Sequence, residues 1–144
     1  MDWENLMDID ELYEFCLSLP QTSSDFPFDK TTLCFRVNKK IFAITDIEQK
    51  PTAISLKCLP DLTLELREKF TCITAAYHMN KSHWNSVVVD GSLTKASLHA
   101  LIKHSYALVF RSLTKNEQAN SLLHSPEIQN ILENFSNLSI EQIR

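Results

Sequence analysis

Chemically versatile side chains cluster between Tyr77 and Gly91, in the segment YHMNKSHWNSVVVDG, where an asparagine and a lysine stand between two histidines. His78 and His83 carry ring nitrogens of the kind that bind zinc or copper. A zinc site needs three or four ligands, and the segment has no cysteine and no carboxylate before Asp90. We therefore expect no metal site, and we interpret the histidines as packed or solvated loop residues.

Catalysis by a nucleophile needs a serine, cysteine or threonine beside a histidine base, with N–H donors for an oxyanion. Gly91 is the only glycine of the chain. A GxSxG elbow, a P-loop and a GxGxxG fingerprint are therefore all excluded. We expect a protein without catalytic activity that needs no small-molecule cofactor.

The loop between the two histidines also suits a nucleic acid. Lys81 and His83 could contact phosphates, while Asn80 and Asn85 could bond base edges. A β-hairpin can enter a DNA groove as a wing or ribbon. These residues therefore form the first part of a candidate interface with double-stranded DNA.

Further cations could extend this interface. Lys39 and Lys40 stand at a second tight hairpin, and Lys95, His99 and Lys103 recur at i, i+4 spacing on a helical pattern. Against this stand the acidic pI of about 5.7 and the routine use of lysines as solubilising charges at turns. DNA binding is therefore one reading, and ordinary surface charge is the other.

Charge is distributed unevenly along the chain, although the net charge is only −4. Residues 1–29 carry eight acids and no lysine or arginine, whereas residues 30–115 carry thirteen lysines and arginines against six acids. Residues 116–144 carry four acids and one arginine. The basic middle predicts either an anionic partner or acidic ends that fold over it.

Trp84 has two interpretations. An aromatic side chain beside basic residues can stack on a base. A tryptophan that opens a strand in phase with Val88 more often anchors a core, and we predict this role for Trp84, Tyr77 and Met79.

Apolar periodicity and turn residues predict the elements. Asp8 can cap a first helix that ends before Pro20, and Asn38-Lys39 can form a tight turn because asparagine tolerates a positive φ. Later helices are predicted from Pro60 to Phe70 and from Thr94 to Leu113. The predicted strands are Thr31–Val37, Lys40–Asp46, Thr52–Cys58, Ile73–Met79 and Trp84–Asp90.

These elements predict an α+β fold with two layers. An antiparallel five-stranded sheet is covered by helices, in the order α-β-β-β-α-β-β-α. Residues 1–115 form this domain, and residues 116–144 form a C-terminal helical extension with one short helix from about Ser125. Its stripe of large apolar residues either docks on the domain or binds a partner.

Composition is that of one globular domain, with 44% hydrophobic and 22% charged residues in 144. No run of eighteen apolar residues occurs, and the N-terminus is acidic where a signal peptide would be basic. We expect a soluble, cytoplasmic protein without a membrane partner. The four cysteines are far apart within apolar patterns, which predicts reduced core thiols.

Five stretches resemble the MmcQ/YjbR family of small bacterial proteins. They are LYEFCLSLP at 12–20, FPFD at 26–29, AISLKC at 53–58, YHMNKSHWNSVVVDGS at 77–92 and LIKHSYALV at 101–109. The resemblance implies an α+β fold similar to that of bacterial secretion chaperones, and some members have been likened to double-wing DNA-binding proteins.

Two functions follow as expectations. The first is a non-catalytic protein that binds double-stranded DNA through its basic hairpin tips. The alternative is a protein–protein adaptor that receives a partner segment on a sheet face, a sheet edge or the C-terminal extension.

Overall fold

A computed structural model describes residues 6–76 and 79–144 of the chain. The helices are α1 (Ile9–Ser18), α2 (Pro60–Lys69), α3 (Lys95–Arg111), α4 (Lys115–His124) and α5 (Ile128–Phe135), and one 3-10 turn covers Ile140–Gln142. The strands are β1 (Thr22–Asp25), β2 (Thr32–Val37), β3 (Lys40–Asp46), β4 (Ala53–Lys57), β5 (Ile73–Ala75) and β6 (Trp84–Val88). Among the described helices, none is both long and apolar enough to cross a bilayer.

The strands form one antiparallel sheet in the order β1-β2-β3-β4-β6-β5. The predicted α+β class is confirmed, but the predicted strand count of five is wrong because β1 adds a sixth. This strand, TSSD, lies at the sheet edge with no buried residue. An edge strand of polar residues has no apolar alternation, so the sequence pattern indicated only a turn-rich segment.

Local signals placed several element boundaries correctly. Asp8 caps α1, its Oδ1 accepting a hydrogen bond from the Glu11 N–H at 2.9 Å. Asn38 takes φ 53° in the turn between β2 and β3, as its residue type predicted. Leu59 precedes Pro60 without a side-chain cap, and the His104 Nε2 instead accepts its N–H at 3.3 Å.

All the helices that contact the sheet lie on one side of it. The register pairs Phe35 with Ala43, Ala43 with Leu56 and Leu56 with Asn85, so these side chains share a face. Tyr13 of α1 contacts the Phe35 ring, and Arg67 of α2 bonds Asn85. We call this side the covered face, and the opposite side the open face.

The segment after α3 folds back over the helical layer. It contains two helices where the sequence predicted one, because the apolar pattern of α4 is weak. Ile128, Leu132 and Ile143 are buried in the same core as the sheet and α3. The fully buried His104 joins this segment to the domain, donating from Nδ1 to the Phe135 carbonyl at 2.6 Å.

The four cysteines are free and buried, as the sequence predicted. Cys16, Cys58 and Cys72 belong to the core, whereas Cys34 pairs with Ile44 on the open face and lies outside the core cluster. Burial raises the pKa of Cys16 to about 12. Such a thiol stays protonated at neutral pH and acts as a small apolar side chain.

Candidate nucleic-acid interface

The register brings both predicted hairpin tips to the same end of the sheet. Lys40 begins β3 and Trp84 begins β6, and both strands pair with β4 near its last residue, Lys57. Only β4 separates β3 from β6, so their backbones lie about 10 Å apart. The Asn38-Lys39 turn and the Asn80–His83 loop therefore flank one edge of the molecule.

The first tip is held by the C-terminal segment. Asn38 Nδ2 donates to the Ser121 Oγ at 2.9 Å. Lys40 Nζ donates to the Ser112 carbonyl at 2.8 Å, at the end of α3, where the helix dipole favours a cation. Lys39 Nζ lies 3.7 Å from a Glu117 carboxylate oxygen while its side chain is 86% exposed, so this ion pair is weak.

The second tip is a loop whose backbone is held by several hydrogen bonds. The Asn80 Oδ1 accepts the Ser82 N–H at 2.9 Å, and the Asn80 carbonyl accepts the Trp84 N–H at 2.9 Å. Arg67 of α2 donates to the carbonyls of Lys81 and Trp84. The loop backbone is thereby fixed, while the side chains of Asn80 and Lys81 are exposed and that of His83 is half-buried.

Trp84 and Lys57 lie next to each other on the open face. They are directly paired in the register, and their neighbours Asn85 and Leu56 face the helices. The predicted core role of Trp84 is therefore wrong: it is half-buried and lies outside the core cluster of the described residues. Met79 is half-buried, and Tyr77 and His78 lie outside the described residues.

The four lysines Lys39, Lys40, Lys57 and Lys81 define what we call the basic end. Two acidic residues, Asp61 in the first turn of α2 and Glu117 of α4, also reach this end. Backbone and side-chain hydrogen bonds with Thr114 hold the pKa of Glu117 below its ordinary value. Its carboxylate is therefore ionised and neutralises part of this charge.

The opposite end of the sheet is acidic. The strands end there in Asp25, Asp46 and, after β6, Asp90, and the connecting loops add Asp29 and Glu48. Lys30 and Lys50 are the cations of these loops. Three of these five acids, Asp46, Glu48 and Asp90, come from the basic middle of the sequence, so the two ends of the sheet separate charges that the sequence count combines.

Asn85 was wrongly predicted as a base-edge partner. It is 2% exposed, and its Oδ1 accepts a hydrogen bond from the Arg67 Nε at 2.8 Å. Strand alternation turns it toward α2, whereas Asn80 in the loop stays exposed. Its amide therefore serves to position Arg67 and the loop.

The α3 row faces other helices, so it does not join the hairpin tips as predicted. Lys95 Nζ pairs with a Glu11 carboxylate oxygen at 3.0 Å. His99 stacks on Phe15 with ring centroids 3.8 Å apart, and its pKa is lowered by burial and by the nearby Lys103 and Lys95. Lys103 lies over the Phe15 ring of α1 and the Phe135 ring of α5. These three side chains fasten α3 to α1 and α5.

Two contributors were missed from the sequence. Arg67 was not named as a site residue, because its role follows from the burial of Asn85, whose amide then needs a partner. Lys57 was overlooked, although the alternation of AISLK turns Leu56 inward and Lys57 outward. In 6–76 and 79–144, no cluster of three or more His, Cys, Asp or Glu side chains could hold a metal ion.

Fold and site together define a small one-sided α+β protein with a cationic sheet end. The sequence profile of the YjbR family matches residues 17–108, and the chain belongs to this family. It is 33% identical over 101 residues to the uncharacterized protein YjbR of Escherichia coli K12, covering 69% of this chain and 85% of that protein. With the uncharacterized protein YbdF of Escherichia coli O157:H7 it shares 33% identity over 116 residues, covering 78% and 95%.

Two solved structures have the same fold. The crystal structure of Deinococcus radiodurans protein DR2400, of the domain family DUF419, is 37% identical and superimposes with a TM-score of 0.76, covering 81% of this chain and 88% of that one. A Pseudomonas syringae protein is 30% identical with a TM-score of 0.62, covering 71% and 98%. The predicted resemblance to the YjbR family is confirmed.

Proposed function

We propose that this protein is a non-catalytic, cytoplasmic DNA-binding protein that contacts the phosphates of duplex DNA through its basic end. The observation that carries the proposal is the position of both hairpin tips at one end of the sheet. The Asn38-Lys39 turn and the Asn80–His83 loop would then act as a pair of wings.

Rigidity supports the same interpretation. Arg67 fixes the backbone of the second tip, so Lys81 extends from a loop that is already ordered. A site that is ordered before binding loses less conformational entropy when a ligand arrives.

A negative net charge does not oppose this function, because five acids, Asp25, Asp29, Asp46, Glu48 and Asp90, lie at the other end of the sheet. The resulting field would orient the protein with its lysines toward a polyanion and its acidic end away from it.

The test is fluorescence anisotropy of a labelled duplex at about 50 and about 200 mM salt, where binding that depends on phosphates changes by orders of magnitude. Lys81→Ala and Lys39→Ala should each lower the salt slope by about 1. Lys30→Ala, in an acidic-end loop, is the matched control and should leave the slope unchanged. Absence of binding at the lower salt would contradict the proposal.

A protein–protein adaptor is the second candidate. Phe26 and Phe28, between β1 and β2, are 45% and 69% exposed, which is unusual for large aromatic side chains. The C-terminal stripe packs on its own domain through Ile128 and Leu132. The loop that carries Phe26 and Phe28 is therefore the better docking point for a partner.

The adaptor is tested by replacing both phenylalanines of this loop with serine and comparing the proteins that co-purify. Leu123→Ser changes a side chain that is 79% exposed elsewhere and is the control. A partner lost only with the phenylalanines would support the adaptor, and a partner retained by both variants would contradict it.

A further inference from the structure

The open face carries a mixed row of side chains where it meets the basic end. Arg36 pairs with Ile41 across β2 and β3, and Lys57 pairs with Trp84 across β4 and β6. In strand order, the row is a cation, an aliphatic side chain, a cation and an aromatic ring. The helices that contact the sheet lie on the other face, so none of these helices covers this row.

The two cations of this row differ in their partners. Arg36 is paired with Asp25, its Nε lying 3.0 Å from a carboxylate oxygen. The Lys57 ammonium makes no hydrogen bond or ion pair with any described residue, and its strand neighbour is Trp84 about 5 Å away. An unpaired cation beside a partly exposed indole can hold a phosphate and stack its base at the same time.

The middle of the open face would not obstruct a chain lying on it. Ile44, Ser55 and Ser86 follow one another across β3, β4 and β6, and all three are half-buried. Small and aliphatic side chains make a flat surface there. Among the described residues of these three strands, Trp84 is the aromatic group available for stacking on this face.

We propose that Trp84 and Lys57 form a stacking site for an unpaired base, so that nucleic acid with a single-stranded stretch is the preferred ligand of the basic end. This inference rests on the proposed function, because the lysines of the basic end would hold the neighbouring phosphates. Bases inside a duplex are already stacked on each other, so they offer no free face to Trp84. Strands that stack bases on a sheet surface are a known mode of single-strand recognition.

The experiment compares a labelled thymidine oligonucleotide of about 12 nucleotides with a mixed-sequence duplex of the same length, at about 50 mM salt. Trp84→Leu removes the aromatic ring, and Trp84→Phe retains one. Fluorescence of Trp84 is followed in a Trp3→Phe background, so that quenching reports this residue alone. Sedimentation of the free protein and circular dichroism of each variant complete the set.

The expected result is tighter binding of the oligonucleotide than of the duplex, with quenching of Trp84. Trp84→Leu should lose about tenfold in affinity for the oligonucleotide and keep its duplex affinity, and Trp84→Phe should recover most of the loss.

Four outcomes would overturn the inference. An equal loss of affinity for both ligands in Trp84→Leu, or no change in affinity for either, would rule out the stacking site. Neither result would contradict the proposal that the basic end binds duplex DNA. A stable dimer whose Trp84 is unquenched by oligonucleotide would assign the open face to a second copy of the chain. Binding of neither ligand would remove the proposed function as well.

Discussion

The two faces of the sheet differ in what they contribute. The covered face holds fully buried side chains such as Phe35, Phe42 and Ile54 under α1 and α3. The open face presents half-buried residues, including Ser55, Ser86 and Trp84. Burial on one face alone is enough for a two-layer domain, which leaves the other face free to vary with function.

Substitutions on the two faces should therefore differ most in stability. Phe42→Ala, on the covered face, removes a ring with no exposed surface that packs against Tyr106. It should lower the free energy of unfolding by about 3 to 5 kcal/mol. Trp84→Ala should cost about 1 to 2 kcal/mol, because part of its ring area is exposed in the folded state.

Urea denaturation followed by far-UV circular dichroism measures both values. Equal losses would show that the two faces contribute alike to stability, which contradicts the one-sided core.

A smaller effect should come from His104, under the C-terminal segment. Burial lowers its pKa, although the hydrogen bond to the Phe135 carbonyl acts in the opposite direction. The Leu59 N–H donates to Nε2, which can accept it only when the ring is neutral. The unfolded chain then binds more protons below the ordinary histidine pKa of about 6.5. The contribution of His104 to the free energy of unfolding should be fully present above this pH. It should fall as the pH drops below it, by at most about 1.4 kcal/mol per pH unit for one proton.

His99, whose pKa is also lowered, must be separated from this effect. Denaturation of the wild type, His104→Gln and His99→Asn between about pH 7 and pH 5 makes the distinction. We expect the slope to fall in both variants, and more in His104→Gln because His104 is fully buried. A slope unchanged by His104→Gln would contradict the neutral, docked histidine.

Sequence patterns predicted the helix α3 on the covered face, but they did not predict how the C-terminal segment packs over it. The helix predicted from Thr94 to Leu113 is present as α3, and its apolar residues Leu98, Leu101 and Ile102 are buried. Its other side, with His104 and Phe110, is buried only because α5 and the C-terminal residues pack over α3. Helical periodicity in the sequence indicates one buried side of a helix. It does not reveal that a helix packed between two layers is buried on both sides.

The same limit explains the site. Lys39, Lys40 and Lys81 were found from the hairpin signals alone, because turns are local. Bringing the two tips to one end depends on β4 lying between β3 and β6, which is a long-range pairing. The burial of Asn85 and the inward turn of Arg67 follow from that pairing too.

The smallest predicted effect on stability has a functional consequence. Glu117→Gln removes the carboxylate beside Lys39 while glutamine can still complete the capping box with Thr114. The free energy of unfolding should change little, since the ion pair is exposed. Duplex affinity should rise by about twofold to fivefold at low salt, because the basic end gains net positive charge. A loss of affinity would contradict the placement of the site at this end.

The most direct test of the account compares two double variants of equal net charge. Lys57→Gln with Lys81→Gln removes two cations from the basic end, and Lys30→Gln with Lys50→Gln removes two from the acidic end. Duplex binding is measured by anisotropy across about 50 to 200 mM salt. We predict that the first pair lowers the salt slope by about 2 and weakens binding, while the second leaves both unchanged. Equal losses in the two pairs would mean that net charge alone governs binding, and would contradict a site at the basic end.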